Sequence, residues 1–427
     1  MQLHRPSEKV RRELFAEEIL PEVGWNNWHF ATFDVECFMH DISTDMEAGS
    51  IHRLVSIAVK SSFGTEKEFY IERADMDPIS VKHVIQEFLS TLIYLRGAML
   101  KEIPESIIEG YERYERIVRS KNFRKRSVAK QAAARNKRNF LEKCLALRIY
   151  SWNGERYDHN VIWAPLLDIL ANMERDFEKW SIIRRGTGIM QLSDGQLVFR
   201  DFLNMTSPMT LDRFARSCGV TATAKTTFPY EYFRDIESLK NVTEFPAYEC
   251  FRSSLCQDTD GFPNELEVLV TKNIVLGIWG SCDQANEVFQ FDPPLRFTEQ
   301  NRIHPDDLDR AKILLHTSPE KYFTSKQIFL KECGTMSDYL RLYNLNDVIL
   351  LEECIRAYAH GFHESWNVNI HEQMSLPGVA QDLAFRFYKE NSTAIYTFGN
   401  SFKEFNTQIR QQLLGGMTLV TSFQIKI

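Results

Sequence analysis

From Trp28 to Cys37 apolar and polar residues alternate, with Phe33, Val35 and Cys37 on one side and Asp34 and Glu36 on the other, which is the pattern of a strand. Two further strands, Arg53 to Lys60 and Lys67 to Ile71, are separated by a Ser61–Thr65 turn containing Gly64. The period then lengthens: Val81, Val84, Ile85, Phe88, Leu89 and Leu92 recur at helical spacing. A largely apolar stretch, Leu145 to Trp152, predicts a buried strand, followed by a helix from about His159 to Asn172. Asp194-Gly195 predicts a hairpin joining Gly188–Leu192 to Gln196–Phe202. A long helix runs from Met336 to about His360, opened by a capping box of Thr335 and Asp338 and ended by Gly361. This succession predicts an α/β fold with a mixed sheet flanked by helices.

Composition adds little to that picture but excludes several alternatives. With 44% hydrophobic residues, 30 Phe and 15 Tyr, the chain has the makings of packed cores and not of disorder. A net charge of -7 gives no overall attraction to nucleic acid, so any such partner needs a local basic groove. One candidate is the stretch 113–143, where twelve Lys and Arg stand against Glu115 and Glu142; it reads either as a solvated helical arm or as a phosphate-contacting flap. The eight cysteines form no C-x-x-C pair, which suits reduced thiols in an intracellular protein. His360, His363 and His371 lack Cys or acidic partners at ligand spacing and read as a solvated helix end. The first residues resemble neither a signal nor a transit peptide, and no apolar run reaches membrane-spanning length, so no membrane partner is expected.

The candidate chemistry lies in four acids. Asp34 and Glu36, two apart on a strand, project from one face, and their apolar neighbours put that strand in a core. A bare carboxylate pair there repels and is costly to desolvate, and a bound cation removes both penalties. Taken alone, the pair also fits a sheet-edge strand with its polar face in water. Asp158 follows a strand, Asn153-Gly154 and Tyr157, a usual place for a site on an α/β sheet, and equally a place for a helix N-cap. Tyr343 and Asp347 stand one above the other on the long helix, whose Val348, Leu351, Ile355 and Tyr358 mark a buried face.

In order, Phe33-Asp34-x-Glu36, Asn153-x-x-x-Tyr157-Asp158 and Tyr343-x-x-x-Asp347 resemble the three exonuclease motifs of the DEDD superfamily, in the branch with Tyr before the last Asp, as in family B DNA polymerases. Thr210-Leu211-x-x-Phe214 and Lys225-x-x-Phe228 with Tyr230 resemble the single-strand-binding and lysine motifs of the protein-primed members. Leu413-Leu414-Gly415-Gly416 resembles the Y-x-G-G segment that joins exonuclease to polymerase, with Leu413 in place of Tyr.

This resemblance implies a ribonuclease H-like domain that removes nucleotides from the 3′ ends of single-stranded DNA. It implies that Asp34, Glu36, Asp158 and Asp347 hold two Mg²⁺ or Mn²⁺ ions. Tyr343 would orient or help deprotonate the attacking water and Lys225 would offset developing charge. Asn153, Tyr157, Thr210, Leu211 and Tyr230, with Gly415 and Gly416, would contact DNA. Tyr157 and Leu211 also fit plain core positions, and Lys225 a solvated loop. A terminal-protein primer is a further partner that the resemblance implies.

On this reading 1–27 is an N-terminal arm, 28–360 the exonuclease domain with 113–143 as a basic insertion, and 361–427 a helical link toward a polymerase palm that the chain lacks. Asp258-Thr259-Asp260 imitates a palm triplet but stands between the second and third exonuclease motifs, and reads as a polar loop. A free-standing ribonuclease of the same superfamily and a non-enzymatic mobile-element remnant that binds single strands are the alternatives.

Overall fold

The computed structural model describes residues 6–390 apart from 45–46, 73–77, 173–179, 221–224, 234, 252–261, 276, 278, 290 and 315–316. Asp258–Asp260, Gly415 and Gly416 therefore lie outside the described residues. Seven strands form one sheet: β1 (Phe30–Thr44), β2 (Glu47–Ser61), β3 (Glu66–Tyr70), β4 (Leu147–Ser151), β5 (Ser181–Arg185), β6 (Gly188–Ser193) and β7 (Leu197–Asp201), in the order β3-β2-β1-β4-β7-β6-β5. Pairing is antiparallel among β1, β2 and β3, parallel from β1 through β4 to β7, and antiparallel again through β6 to β5. The expected α/β mixed sheet is present. Gly64 at φ +101 and Gly195 at φ +85 take left-handed turn conformations that few other residues tolerate. Strand β5 is an addition to the expected set; all five of its residues are exposed, so it has no alternation to read.

Around the sheet stand α1 (Pro6–Ala16), α2 (Pro78–Leu100), α3 (Glu105–Arg119), α4 (Val128–Cys144) and α5 (Asp158–Asn172). After β7 follow α6 (Leu211–Ser217), α7 (Ile236–Asn241), α8 (Phe262–Val275), α9 (Cys282–Phe289), α10 (Leu308–Leu314), α11 (Pro319–Glu332), α12 (Met336–Trp366) and α13 (Leu376–Glu390). One sheet face buries Phe33, Ile149 and Phe199 against α2 and α5, with Phe33 and Phe88 ring centroids 5.6 Å apart. The other face packs Phe30 and Tyr150 against Leu350, Leu351 and Ile355 of α12 and Phe214 of α6. A separate cluster joins Leu266, Phe289 and Tyr322 of α8, α9 and α11. No helix among the described residues is long and apolar enough to cross a membrane.

Two expectations need correction. Helix α12 does not end at Gly361 but continues to Trp366, where Asn367 at φ +50 caps it by donating its backbone N–H to the His363 carbonyl at 2.7 Å. A helical glycine costs only about 1 kcal/mol relative to alanine, and the packing of Tyr358 and Phe362 on the second core outweighs it. His371 is not at a solvated helix end; it is 1% exposed and stacks on Phe30 at 5.1 Å. The basic stretch is helical with most of its cations exposed, as the solvated-arm reading expects, and it is anchored to the rest of the fold. In it α3 and α4 pack together, burying Ala134 and Leu141, while Lys137 pairs with Glu13 and Glu17 at 2.9 and 2.7 Å and Arg138 with Glu115 and Glu142. The capping box stands as expected: the Thr335 hydroxyl accepts from the Asp338 N–H, and the Asp338 carboxylate accepts from the Thr335 N–H.

Gly361 is exposed, and a Cβ added there meets nothing within 4 Å. Gly361→Ala is therefore expected to stabilise the protein by about 0.5–1 kcal/mol through the lost freedom of the unfolded chain. Urea denaturation checks this, and an unchanged or lower midpoint contradicts the continuous helix.

Candidate metal centre

The site grows out of strand alternation. Phe33 and Val35 of β1 are fully buried toward α2 and α5, so Asp34 and Glu36 face α12 instead. Two polar contacts hold that helix across the strands: the Thr32 hydroxyl donates to the Val348 carbonyl at 2.8 Å, and the Asn344 amide donates to Ser56 Oγ at 2.7 Å. Asp347 lies between these anchors on the buried side of α12. Carboxylate oxygens of Asp34, Glu36 and Asp347 consequently all lie within 4.8 Å of one another, a group that can hold a metal ion.

The segment 225–230 closes one side. Lys225 Nζ pairs with Asp347 Oδ2, donates to the Tyr343 hydroxyl at 3.1 Å and sits 4.9 Å from the centre of that ring. The Tyr230 hydroxyl donates to Glu36 Oε2 at 2.6 Å. Phe228 stacks on Tyr339 at 6.1 Å and the Tyr339 hydroxyl donates to the Thr227 carbonyl at 2.8 Å, which ties the segment to α12.

The turn from β4 into α5 closes the other side. Asn153 takes φ +65, a conformation Asn tolerates better than most residues. A Cβ on Gly154 would lie 1.8 Å from Ser151 Oγ, so glycine is required there. Asp201, at the end of β7, accepts from the backbone N–H groups of Asn153 and Glu155 at 2.9 and 3.2 Å. Glu155 is itself held by a two-bond contact from Arg185 at 2.8 and 2.5 Å. The turn delivers Asp158 as the first residue of α5, 2% exposed. Nothing in the sequence singled out Asp201, Glu155 or Arg185, because their role is to hold backbone and a loop carboxylate.

Burial dominates the electrostatics. It raises the Asp34 carboxyl to about 7, helped by the Asp347 charge and opposed by Lys225. Burial and the Asp34 charge push Glu36 well above the carboxylate range, against the Tyr230 hydrogen bond, and burial with Asp34 and Asp201 does the same to Asp158. Burial draws the Lys225 ammonium down, but Asp347 and Tyr343 more than reverse this and hold it well above its ordinary range. The Tyr343 phenol is pushed well up by burial and by Asp347, so it stays protonated at neutral pH. His159 is drawn down to about 4 by burial and is a neutral structural group, its Nδ1 2.6 Å from the Ile189 carbonyl.

The donor set suits a hard divalent cation: every candidate ligand is a carboxylate oxygen. Asp158 Oδ2 and Asp347 Oδ1 are buried without a hydrogen-bond partner, an arrangement that wastes two acceptors unless something else meets them. Asp158 stands outside the 4.8 Å group but within the electrostatic reach of Asp34.

Of the other expected residues, Asn153 is exposed at the rim and Tyr157 is half-buried, its hydroxyl 2.9 Å from His52 Nδ1. Tyr230 belongs to the acidic cluster itself. Thr210 caps α6 by accepting from the Arg213 N–H, and Leu211 is 8% exposed in the second core. No protein-family model, curated protein or solved structure matches the chain.

The folded protein holds the Asp34 proton up to about pH 7, whereas an unfolded aspartate releases it near its ordinary value of 3.8. In that window the native state binds more protons than the unfolded one, so this group's contribution to stability falls as pH rises. Asp34→Asn is therefore expected to gain in melting temperature over the wild type progressively between pH 4 and 7 when divalent ions are chelated. A constant difference across that range contradicts the assignment.

Proposed function

We propose that this chain is the exonuclease portion of a protein-primed-type family B DNA polymerase, hydrolysing single-stranded DNA from its 3′ end with two Mg²⁺ or Mn²⁺ ions. The observation that carries the reading is the convergence of Asp34, Glu36, Asp347, Tyr343 and Lys225, drawn from three distant segments, around buried acceptors that lack partners. The ribonuclease H-like reading of the fold rests on a mixed sheet whose inner strand β1 carries Asp34 and Glu36, with Asp158 after the neighbouring parallel strand β4.

Asp34, Glu36, Asp158 and Asp347 would hold the ions, which when bound supply Lewis-acid stabilisation of charge on the reacting phosphate. Tyr343 acts as a protonated phenol, orienting the attacking water by a hydrogen bond, since burial and Asp347 keep its proton in place. Lys225 fixes the Tyr343 hydroxyl and provides a fixed positive charge beside the reacting phosphate. Tyr230 orients Glu36. Asn153, exposed, and Tyr157, half-buried, stand on the turn that leads into Asp158 and would meet the terminal nucleotide.

Purified protein is expected to shorten a 3′-labelled single strand only with Mg²⁺ or Mn²⁺, and Asp34→Ala with Glu36→Ala to abolish this. Tyr343→Phe should slow single turnover by at most about 10²–10⁴-fold, the range for a group that handles protons, and less than Asp347→Ala. Lys225→Ala should lower the chemical rate with single-strand affinity nearly unchanged. Cleavage in excess chelator, or full activity of the double variant, would falsify the nuclease reading.

A further inference from the structure

A second polar site lies on the α12 face of the sheet, at the opposite end of β4 from the acids. Arg148 is level with Phe30 on β1, so Asp34 stands four residues further, or about 13 Å at strand rise. There a cavity of ≈ 170 Å³ opens between α1, α4, β4, β7 and the turn at His371–Gln373, against about 30 Å³ for one water. Four cationic side chains line it, Arg11, Lys143, Arg148 and Arg200, with Glu372 as the one carboxylate.

That carboxylate is engaged, because Arg11 pairs with it. Among the described residues no ion pair reaches Arg148, Arg200 or Lys143. Arg148 is 5% exposed and uses two of its five N–H donors in long bonds of 3.2 Å to the Asn27 and Lys143 carbonyls. Arg200 donates to the His371 and Gln373 carbonyls at 3.0 Å each and to Gln191 Oε1 at 2.9 Å. Carbonyl oxygens satisfy donors but carry no net charge, so two neighbouring guanidinium charges stay uncompensated. Burying charge without a counter-charge is costly. The neighbourhood registers this: burial draws Arg200 below its ordinary range with the Arg148 charge adding to it, and burial plus both arginines hold His371 well down, hence neutral.

We infer that this cavity binds a phosphate group, with Arg148 and Arg200 as its floor and Lys143 at its mouth. A tetrahedral oxyanion matches the unused donors of Arg148 and supplies the missing negative charge, and guanidinium groups recognise phosphate well. Free phosphate and a phosphate of a nucleic-acid backbone offer the same chemistry.

Calorimetric titration of the full chain with inorganic phosphate, at constant ionic strength in chloride, tests the site. One saturable site per chain is expected. Arg148→Gln should weaken binding by about tenfold, as for one charge-assisted hydrogen bond. Lys143→Ala, at an exposed position, should leave the fold unchanged, as read by its melting temperature, and weaken phosphate by up to about fivefold. Lys143→Ala decides the matter should Arg148→Gln not fold. A short single strand that displaces phosphate assigns the backbone as the source, and failure to displace it assigns a free anion; both support the site. Absence of phosphate binding by the wild type, or wild-type affinity in the folded variants, overturns it and leaves the nuclease reading untouched.

Discussion

Three carboxylates within 4.8 Å of one another beneath a helix repel unless a cation sits among them, and Lys225 is the cation the chain itself provides. At an effective dielectric of about 20, two unit charges at that separation repel by about 3–4 kcal/mol, a large share of a typical stability of about 5–15 kcal/mol. The surroundings must therefore over-determine the geometry. Thr32 and Asn344 fasten α12 to the sheet, Tyr230 holds Glu36, and Phe228 with Tyr339 keeps the Lys225 segment against the helix. Proton uptake by Asp34 and Glu36 relieves the remainder while no metal is bound.

Such a site is a local sacrifice of stability, sustained by the fold around it. The face of β1 opposite the acids is packed with rings, Phe33 lying against Phe88, Phe199 and His159. A rigid apolar face behind the strand fixes where Asp34 and Glu36 point, and the same strand alternation that buries Phe33 and Val35 commits the acids to α12. The turn at Asn153-Gly154 is held more indirectly, since Asp201 grips its backbone and Arg185 grips Glu155. Preorganisation of this kind is what a metal-binding carboxylate set requires.

What could be read from the chain follows from how local each signal is. Strands β3 and β4, the β6–β7 hairpin, α2, α5 and the capping box of α12 declare themselves through periodicity or turn chemistry within a few residues, as do β1 up to Cys37 and β2 from Arg53; the continuation of β1 to Thr44 and the start of β2 at Glu47 do not. Asp34, Glu36 and Asp347 stood out because acids beside apolar periodic positions are unusual. Tertiary packing overrode local signals elsewhere: Gly361 ends a helix by propensity, but Phe362 and Tyr358 have a core to fill. His371 looked solvated because only the fold brings Phe30 and Tyr150 around it. Asp201 could not be found, because a carboxylate that caps a loop forty-eight residues away has no sequence period.

Charge shows the same limit most sharply. The basic stretch 113–143 is the obvious place to seek an anion partner, yet Lys137 and Arg138 are matched there by Glu13, Glu17, Glu115 and Glu142. Most other cations of the stretch are exposed, where water and salt screen them. The cations that line a cavity with no ion pair among the described residues are Arg148 and Arg200, on separate strands, joined by Lys143 at the end of the stretch. A local excess of Lys and Arg along a chain measures neither the field at the surface nor the affinity of a cavity, because each pairing removes one charge from the account. What an anion meets is the charge left over after pairing, in the place where desolvation makes it count. By that measure a chain of net charge -7 holds two opposite centres on one face of its sheet, an acidic one that calls for cations and a cationic one that calls for an anion.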